Sequence, residues 1–358
     1  MRGVNRDDCI ELVEQRLIRF FTESKLRSAA LDPSYLQLWE ALERVSRGGS
    51  RSRPRLVLMA YAGLGGNAAT EAASLATAFE LLHTALLVHD DVIDRDLVRR
   101  GSPNVAGAYR KHALRKGMNS AEAGHIGASV ALLAGDLALA GAYQLLRSLH
   151  VSDSVHRALH AVLDQAIFAS VGGELLDIEF SADRTMPSIE RILSTARYKT
   201  AVYTFEAPLQ AAAIFAGATE EVRLALERFG HHAGIAYQIT DDILGVFGDP
   251  SLTGKSTISD LREGKRTILL CHAATKPEWL LVENLVGSTG LTISDAEKIR
   301  AVLIKCGSKD FATDLALQHA RAACELLDVD GIPSLLREQL SALLYKAITR
   351  VKMETSAA

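Results

Sequence analysis

Apolar residues recur along most of this chain with the spacing expected for amphipathic or buried helices. The pattern predicts helices at about 8–23, 34–46, 53–64, 70–95, 121–149, 152–181, 187–216, 218–247, 293–306, 308–328 and 334–352. Alternating strand patterns are essentially absent. The sequence therefore predicts an all-α helical bundle.

The breaks in this pattern indicate where helices begin, bend or end. Pro187 suits a first helical turn, and Pro208 is expected to kink its helix near Phe205. A glycine- and lysine-rich loop at about 249–266 is expected between helices, able to close over a substrate. Short frayed ends are expected at about 1–6 and 353–358. Because no Pro/Gly/Ser-rich linker interrupts the chain, we expect one domain over residues 1–358.

Composition and charge exclude several classes of protein. A net charge of −3 and the lack of a long basic tract argue against a nucleic-acid partner. The four cysteines form no close pair, and the charged N-terminus lacks a signal-peptide core, which favours a cytoplasmic protein. Only the segment 126–146 is long enough to suggest a membrane span, and Asp136 near its centre argues for a buried bundle helix instead.

The most informative motif is an acidic cluster that ends the apolar run before residue 95. In a helix, Asp90 and Asp94 share one face, one turn apart, whereas Asp91 points elsewhere. The residues on or beside that face upstream are Phe79, Leu82, His83 and Leu86, and the cations that follow are Arg99 and Arg100. Hard cations such as magnesium prefer such oxygen ligands. A solvated helix end is the alternative, but carboxylates, arginines and an apolar stripe together suit a metal-bound diphosphate on a hydrocarbon.

A second acidic motif lies roughly 150 residues later. Asp241 and Asp242 close another apolar helical segment, with Gln238 one turn before Asp241. The segments 253–255 and 259–267 follow, where glycines stand among cations that include Lys255 and Lys265. Such a flexible, donor-rich loop is able to reach a phosphate.

Taken in order, these motifs resemble those of the trans-prenyl diphosphate synthase family, and the resemblance covers nearly all of the chain. The motifs that carry it are Gly48–Pro54, Asp90–Asp94, Arg99–Gly101, Leu132–Asp136, Gly172–Asp177, Lys199–Ala201, Tyr237–Pro250 and the lysine loop. The second aspartate motif looks most like that of actinobacterial members making geranylgeranyl-type products. The resemblance implies an isoprenoid-synthase bundle with a central active-site cavity, and a homodimer.

The reaction implied by the resemblance joins isopentenyl diphosphate head to tail to an allylic diphosphate (dimethylallyl, geranyl or farnesyl). Asp90 and Asp94 would bridge two Mg2+ ions, and Asp241 would hold a third from a facing helix. Arg99, Lys199 and Lys255 would contact the allylic diphosphate, and Lys265 would support the closed loop. The residues for isopentenyl diphosphate would be Arg51, Arg53, His83 and Arg100. Thr200 and Gln238 would present dipoles beside the cationic carbons.

Two positions depart from the family's pattern. Ser50 stands where the basic motif usually has lysine, which lowers the expected affinity for isopentenyl diphosphate unless Arg47 takes that role. Gly245 stands where many members have a third aspartate, so metal binding there would depend on Asp241, with Asp249 as possible support.

Product length is predicted from the residues below Asp90. Shorter-chain relatives commonly block the path of the growing tail with an aromatic residue at the positions that Ala85 and Leu86 hold here. Leu82 lies one turn lower, and Phe79 is the first aromatic residue on that face. We therefore expect a 20-carbon product with some overrun and Phe79 near the floor, unless a residue of another helix forms the floor.

Three other functions stay open at this point. A synthase of longer or shorter products would use the same motifs. A class I terpene cyclase needs a hydroxyl where Gly245 stands and would leave Arg51, Arg53 and Arg100 without a purpose. A non-catalytic regulatory subunit would be expected to lose its metal aspartates, and only Ser50 favours it.

Overall fold

A computed structural model describes residues 6–183, 185–248 and 257–354 of the chain. Most of these residues are helical, and the strands among them are two of two residues each, Val98–Arg99 and Ser102–Pro103, which pair antiparallel. The prediction of an all-α protein is thus confirmed. The chain forms two compact units, Met1–Ala161 with Ile214–Ala216, and Val162–Ala213 with Gly217–Ala358, called here the N-terminal and C-terminal units. The single domain expected over 1–358 stays a prediction.

The N-terminal unit is built around the helix that carries the first aspartate motif. Its helices are α1 (Arg6–Ala29), α2 (Pro33–Ser46), α3 (Ser52–Gly63), α4 (Ala69–Ile93), α5 (Val105–Arg115), α6 (Ser120–Arg147) and the start of α7 (Asp153–Ala182). Helix α4 packs chiefly against α6, and also against α1 and α3. Its side chains are buried almost all round between Ala72 and Ala85, as expected for a helix that is apolar on every side.

The C-terminal unit holds the second aspartate motif on a long central helix. Its elements after α7 are α8 (Ile189–Ala196), a π-helix (Arg197–Glu206), α9 (Ala207–Phe215), α10 (Glu220–Phe247), α11 (Ser259–Glu263), α12 (Ile268–Ala274), a 3₁₀ helix (Pro277–Leu281), α13 (Ile293–Lys305), α14 (Ser308–Glu325) and α15 (Ser334–Glu354). Helix α10 packs mainly against α14 and the π-helix.

The segment predicted as one helix over 187–216 is in fact three elements. Pro187 precedes the helix instead of opening it, because Ser188 caps α8 by accepting a hydrogen bond from the Arg191 amide. The kink expected near Phe205 takes the form of the π-helix, which ends directly before Ala207. Pro208, lacking an amide proton, stands just after this change in hydrogen bonding.

Several boundaries and one count differ from the sequence prediction. Helices α5, α11 and α12 were not predicted, and α11 interrupts the loop expected at 249–266. The claim that only one segment is long and apolar enough to span a membrane was wrong, because both Ala69–Ile93 and Ser120–Arg147 meet that criterion. The buried share of the most apolar stretch is 78% in Ala69–Ile93, as expected for a core helix, and 39% in Ser120–Arg147.

Candidate active site

The first aspartate motif occupies the C-terminal end of α4. Asp94 is the C-cap residue, and its amide donates to the Asp90 carbonyl at 2.8 Å, so the two acids lie one helical turn apart. Both side chains are partly exposed. The pair therefore presents carboxylate oxygens on one face at the helix end, as the i, i+4 spacing predicts.

Asp91 is instead turned into the protein, where it is 2% exposed. It accepts hydrogen bonds from Arg99, 2.6 Å from Nε and 2.5 Å from Nη2. Burial raises the pKa of Asp91 to about 6, although Arg99 acts in the opposite direction. The Arg99 guanidinium also lies 3.6 Å from Asp90. Arg99, predicted to contact a diphosphate, thus holds the motif's carboxylates together in this structure.

The predicted basic residues come together in the N-terminal unit. Burial lowers the pKa of His83 well below 6.5, and the positive charges of Arg53, Arg100, Arg99 and Arg51 lower it further. Arg100 donates from Nη1 to the Arg47 carbonyl at 2.9 Å. Its guanidinium packs against Gly49, where a Cβ atom would lie 2.7 Å from Nη2. His83 therefore lies within a cluster of positive charge suited to a polyanion.

Arg51 is the member of this cluster whose environment the sequence did not indicate. It is 6% exposed and has a left-handed backbone with φ of 51°. Its guanidinium donates to Glu80 at 2.6 Å, to Glu14 at 2.6 and 3.2 Å, and to the Ser46 carbonyl at 2.8 Å. Glu14 and Glu80 were not singled out, because they stand 37 and 29 residues from Arg51 without a motif. Arg51 therefore joins α1 and α4 to the basic motif.

The positions predicted to control product length lie along α4. Phe79, Leu82 and Ala85 are buried, with exposures of 1%, 0% and 1%, whereas Leu86 is only partly buried. All four belong to the helix that ends in the first aspartate motif. Their role in product length stays a prediction.

In the C-terminal unit, Lys199 and Thr200 lie on the π-helix. The Lys199 ammonium group is 2.6 Å from Asp177 and 3.0 Å from Glu174, both on α7. Thr200 donates its hydroxyl proton to the Gln238 side-chain oxygen at 2.7 Å, and the Gln238 amide donates to Asp242 at 2.8 Å. The structure therefore joins three predicted polar positions into one hydrogen-bonded row.

The second aspartate motif is rich in mutually repelling acids. Burial raises the pKa of Asp242 well above 3.8, and nearby Asp260, Asp241 and Asp177 raise it further, against the hydrogen bond from Gln238. Asp241 is partly buried on α10. Lys265 pairs with Glu263 at 3.1 Å and lies 3.9 Å from Asp260. Lys255 and Asp249 fall outside the described residues.

These acids fit magnesium held jointly with a diphosphate. Within residues 6–183, 185–248 and 257–354, no three His, Cys, Asp or Glu side chains are arranged to hold a metal by themselves. Magnesium usually keeps several waters and binds through one or two carboxylates plus substrate phosphates. The paired, partly exposed Asp90 and Asp94 match that ligand set, and so does Asp241.

Comparisons with known proteins agree with this chemistry. A family model described as polyprenyl synthetase matches residues 37–303. The geranylfarnesyl diphosphate synthase of Aeropyrum pernix is 32% identical over 317 residues, which cover 87% of this chain and 93% of that protein. The (2E,6E)-farnesyl diphosphate synthase of Mycobacterium bovis is 32% identical, with 84% of this chain and 80% of that protein covered.

A solved structure extends the likeness to the whole fold. The geranylgeranyl pyrophosphate synthase of Corynebacterium glutamicum, complexed with isoprenyl diphosphate and magnesium, superposes with a TM-score of 0.89 at 31% identity. The match covers 97% of this chain and 100% of that one. The names of these three proteins denote different products, so the relatives do not fix the product length.

Proposed function

Since the chain belongs to the polyprenyl synthetase family and is a prenyl diphosphate synthase, we propose that it makes geranylgeranyl diphosphate from isopentenyl diphosphate and an allylic primer. The observation that carries this proposal is the pairing of acidic and basic side chains within each unit. Asp90 lies beside Arg99 in the N-terminal unit, and Asp177 of α7 pairs with Lys199 in the C-terminal unit, where Asp241 lies on α10.

In the proposed reaction the allylic C–O bond breaks, and negative charge develops on the departing diphosphate. Magnesium, when bound, neutralises part of this charge; its proposed ligands are Asp90 and Asp94 in the N-terminal unit and Asp241 in the C-terminal unit. The proposed fixed cations for the leaving group are Arg99 in the N-terminal unit and Lys199 in the C-terminal unit. The double bond of isopentenyl diphosphate then attacks the allylic cation, and the proton lost from the new product passes to the released diphosphate.

The row formed by Thr200, Gln238 and Asp242 would stabilise the allylic cation. Because Thr200 donates its proton to Gln238, the lone pairs of the threonine oxygen are directed away from that bond. Gln238 is itself oriented by Asp242, so neither dipole must reorganise when positive charge develops. No side chain in this row needs to act as a nucleophile.

The second substrate would bind the cluster of arginines around His83. Arg53, Arg100 and His83 supply charge and donors for its diphosphate, an anion that arginine recognises through two parallel hydrogen bonds. Arg51 would contribute chiefly by fixing the basic motif, because its own donors contact Glu14, Glu80 and Ser46. Farnesyl diphosphate, geranyl diphosphate and dimethylallyl diphosphate are the candidate primers.

We further propose a cytoplasmic homodimer. Helix α7 exposes an apolar stripe at helical spacing, formed by Phe168, Val171, Leu175 and Ile178 with exposures of 77%, 60%, 55% and 44%. Contiguous apolar surface of this kind marks an interaction site, and a second copy is the partner that the family resemblance implies. Sedimentation equilibrium of the purified protein is expected to give the mass of two chains, and a monomer mass would contradict the proposal.

One assay tests the reaction. The purified protein is incubated with Mg2+, labelled isopentenyl diphosphate and each allylic primer in turn, and the dephosphorylated products are separated by chromatography. We expect a labelled 20-carbon alcohol as the main product. Label in a longer or shorter alcohol would change only the product assignment, whereas no incorporation by the chain alone would overturn its proposed catalysis.

A further inference from the structure

A carboxylate from a later helix, that of Asp260, lies beside the second aspartate motif. Gly245 lies one turn after Asp241 on α10. A Cβ atom built on Gly245 would lie closer than 3.0 Å to Oδ2 of Asp260 and 3.5 Å from its Cγ. Among residues 6–183, 185–248 and 257–354, no other group outside its own stretch of helix comes within 4 Å of that point. Asp260 therefore fills the space beside Gly245.

We propose that Asp260, supplied by α11, acts as the third carboxylate of this motif and positions the metal-bound diphosphate beside Asp241. Residues at i and i+4 share a helix face, so an acid in the space beside Gly245 lies on the face that carries Asp241. Glycine at 245 is then required, because any side chain there would displace Asp260. The inference rests on the proposed function for its substrate but not for its geometry.

The backbone around Asp260 holds this carboxylate in place. Its carbonyl accepts a hydrogen bond from the Lys265 amide at 3.0 Å, and the next carbonyl, of Leu261, accepts one from Gly287 at 2.8 Å. The Leu261 side chain is 1% exposed, which anchors α11 in the core of the C-terminal unit. Asp260 thus stands on a fixed support, as a group that orients a ligand requires.

The two positions can be exchanged, which gives a sharp test. Asp260→Ala removes the acid and leaves a space, whereas Gly245→Asp forces two carboxylates into one space. The double variant Gly245→Asp/Asp260→Ala restores one acid to this space from the other helix. Glu325→Gln is the control, since it removes an exposed carboxylate from α14 of the same unit without lying within 4 Å of the Cβ position at Gly245.

Metal binding is measured on the full chain by Mn2+ electron paramagnetic resonance with inorganic pyrophosphate present, and folding by the thermal midpoint. We expect Asp260→Ala to weaken Mn2+ binding about tenfold, as for loss of a supporting ligand, and to raise the Mg2+ needed for half-maximal turnover. Gly245→Asp is expected to lower the thermal midpoint. The double variant should regain much of the Mn2+ affinity and of the thermal midpoint, while Glu325→Gln matches the parent.

Two results would overturn the inference: parental Mn2+ binding by Asp260→Ala, or a double variant no better than the sum of the single changes. If Asp260→Ala does not fold, Asp260→Asn keeps the shape, removes the charge and carries the same expectation. If the parent condenses none of the primers, the proposed function fails. The coupling of positions 245 and 260 in Mn2+ binding and stability still decides the role of Asp260.

Discussion

Replacing Arg51 separates a structural role from a substrate-binding one. In Arg51→Met the buried Glu80, 5% exposed, loses its only charged hydrogen-bond partner among the described residues. Removing one member of a buried ion pair costs about 3–5 kcal/mol, because the remaining charge is left unpaired. Glu14 adds little to this figure, since its side chain is 43% exposed and water replaces the arginine there.

The loss is measured by urea unfolding and by the thermal midpoint. At roughly 2 °C per kcal/mol for a large domain, we expect a fall of about 6–10 °C. Arg51→Met/Glu80→Met should recover most of it, because apolar residues of similar volume replace a buried pair at little or no loss of stability. Arg55→Met, on the helix that Arg51 precedes, is the control, because among the described residues its exposed guanidinium bonds only the Ser50 carbonyl. A stable Arg51→Met with a raised KM for isopentenyl diphosphate would refute the structural assignment.

Four further outcomes are expected. Asp90→Ala should lose turnover by several orders of magnitude while its thermal midpoint stays level or rises, as circular dichroism would show, because the acids there repel one another. Ser50→Lys should lower the KM for isopentenyl diphosphate and leave that of the primer unchanged in steady-state assays, since one charge-assisted contact contributes about 1.5–3 kcal/mol. Ala85→Phe should shorten the product to 15 carbons and Phe79→Ala lengthen it, by product chromatography; an unchanged product from folded Ala85→Phe excludes a tail along α4. Burial lowers the pKa of His319 to about 4, so the unfolded state binds more protons than the folded state between pH 6.5 and 4. Stability should therefore fall as the pH is lowered from 6.5 to 4, and in His319→Asn the urea midpoint should depend less on pH over this range.

The sequence predicts those parts of the protein that depend on local spacing. The long helices α4, α6 and α10 follow from apolar periodicity, and the shared face of Asp90 and Asp94 follows from a four-residue step. The hydrogen-bonded row from Thr200 to Asp242 is harder to predict from the sequence, because its first bond joins residues 38 apart. The family resemblance indicated Thr200 and Gln238 but not the bond between them.

What the sequence did not reveal depends on contacts between distant or short segments. Helix α12 is seven residues long and almost wholly buried, too short for a period to show. The carboxylate partners of Arg51 and the place of Asp260 beside Gly245 are tertiary contacts that no motif encodes. The π-helix follows from no pattern in its own residues, and only Pro208 gave notice of a disturbance.

That π-helix has a consequence for how the protein tolerates insertions and deletions. Its amides bond five residues back, as the Ala207 amide does to Val202, so the segment holds more residues per turn than its α-helical neighbours. Deleting one residue between 201 and 206 would return the turn to α-helical bonding and leave α9 docked. Because the wide turns already hold the extra residue, the chain before the deletion would rotate by much less than the roughly 100° that one residue turns in an α-helix. Lys199 would then still face Asp177, and Thr200 would still face Gln238, so this segment should accept a one-residue deletion that a regular α-helix would not.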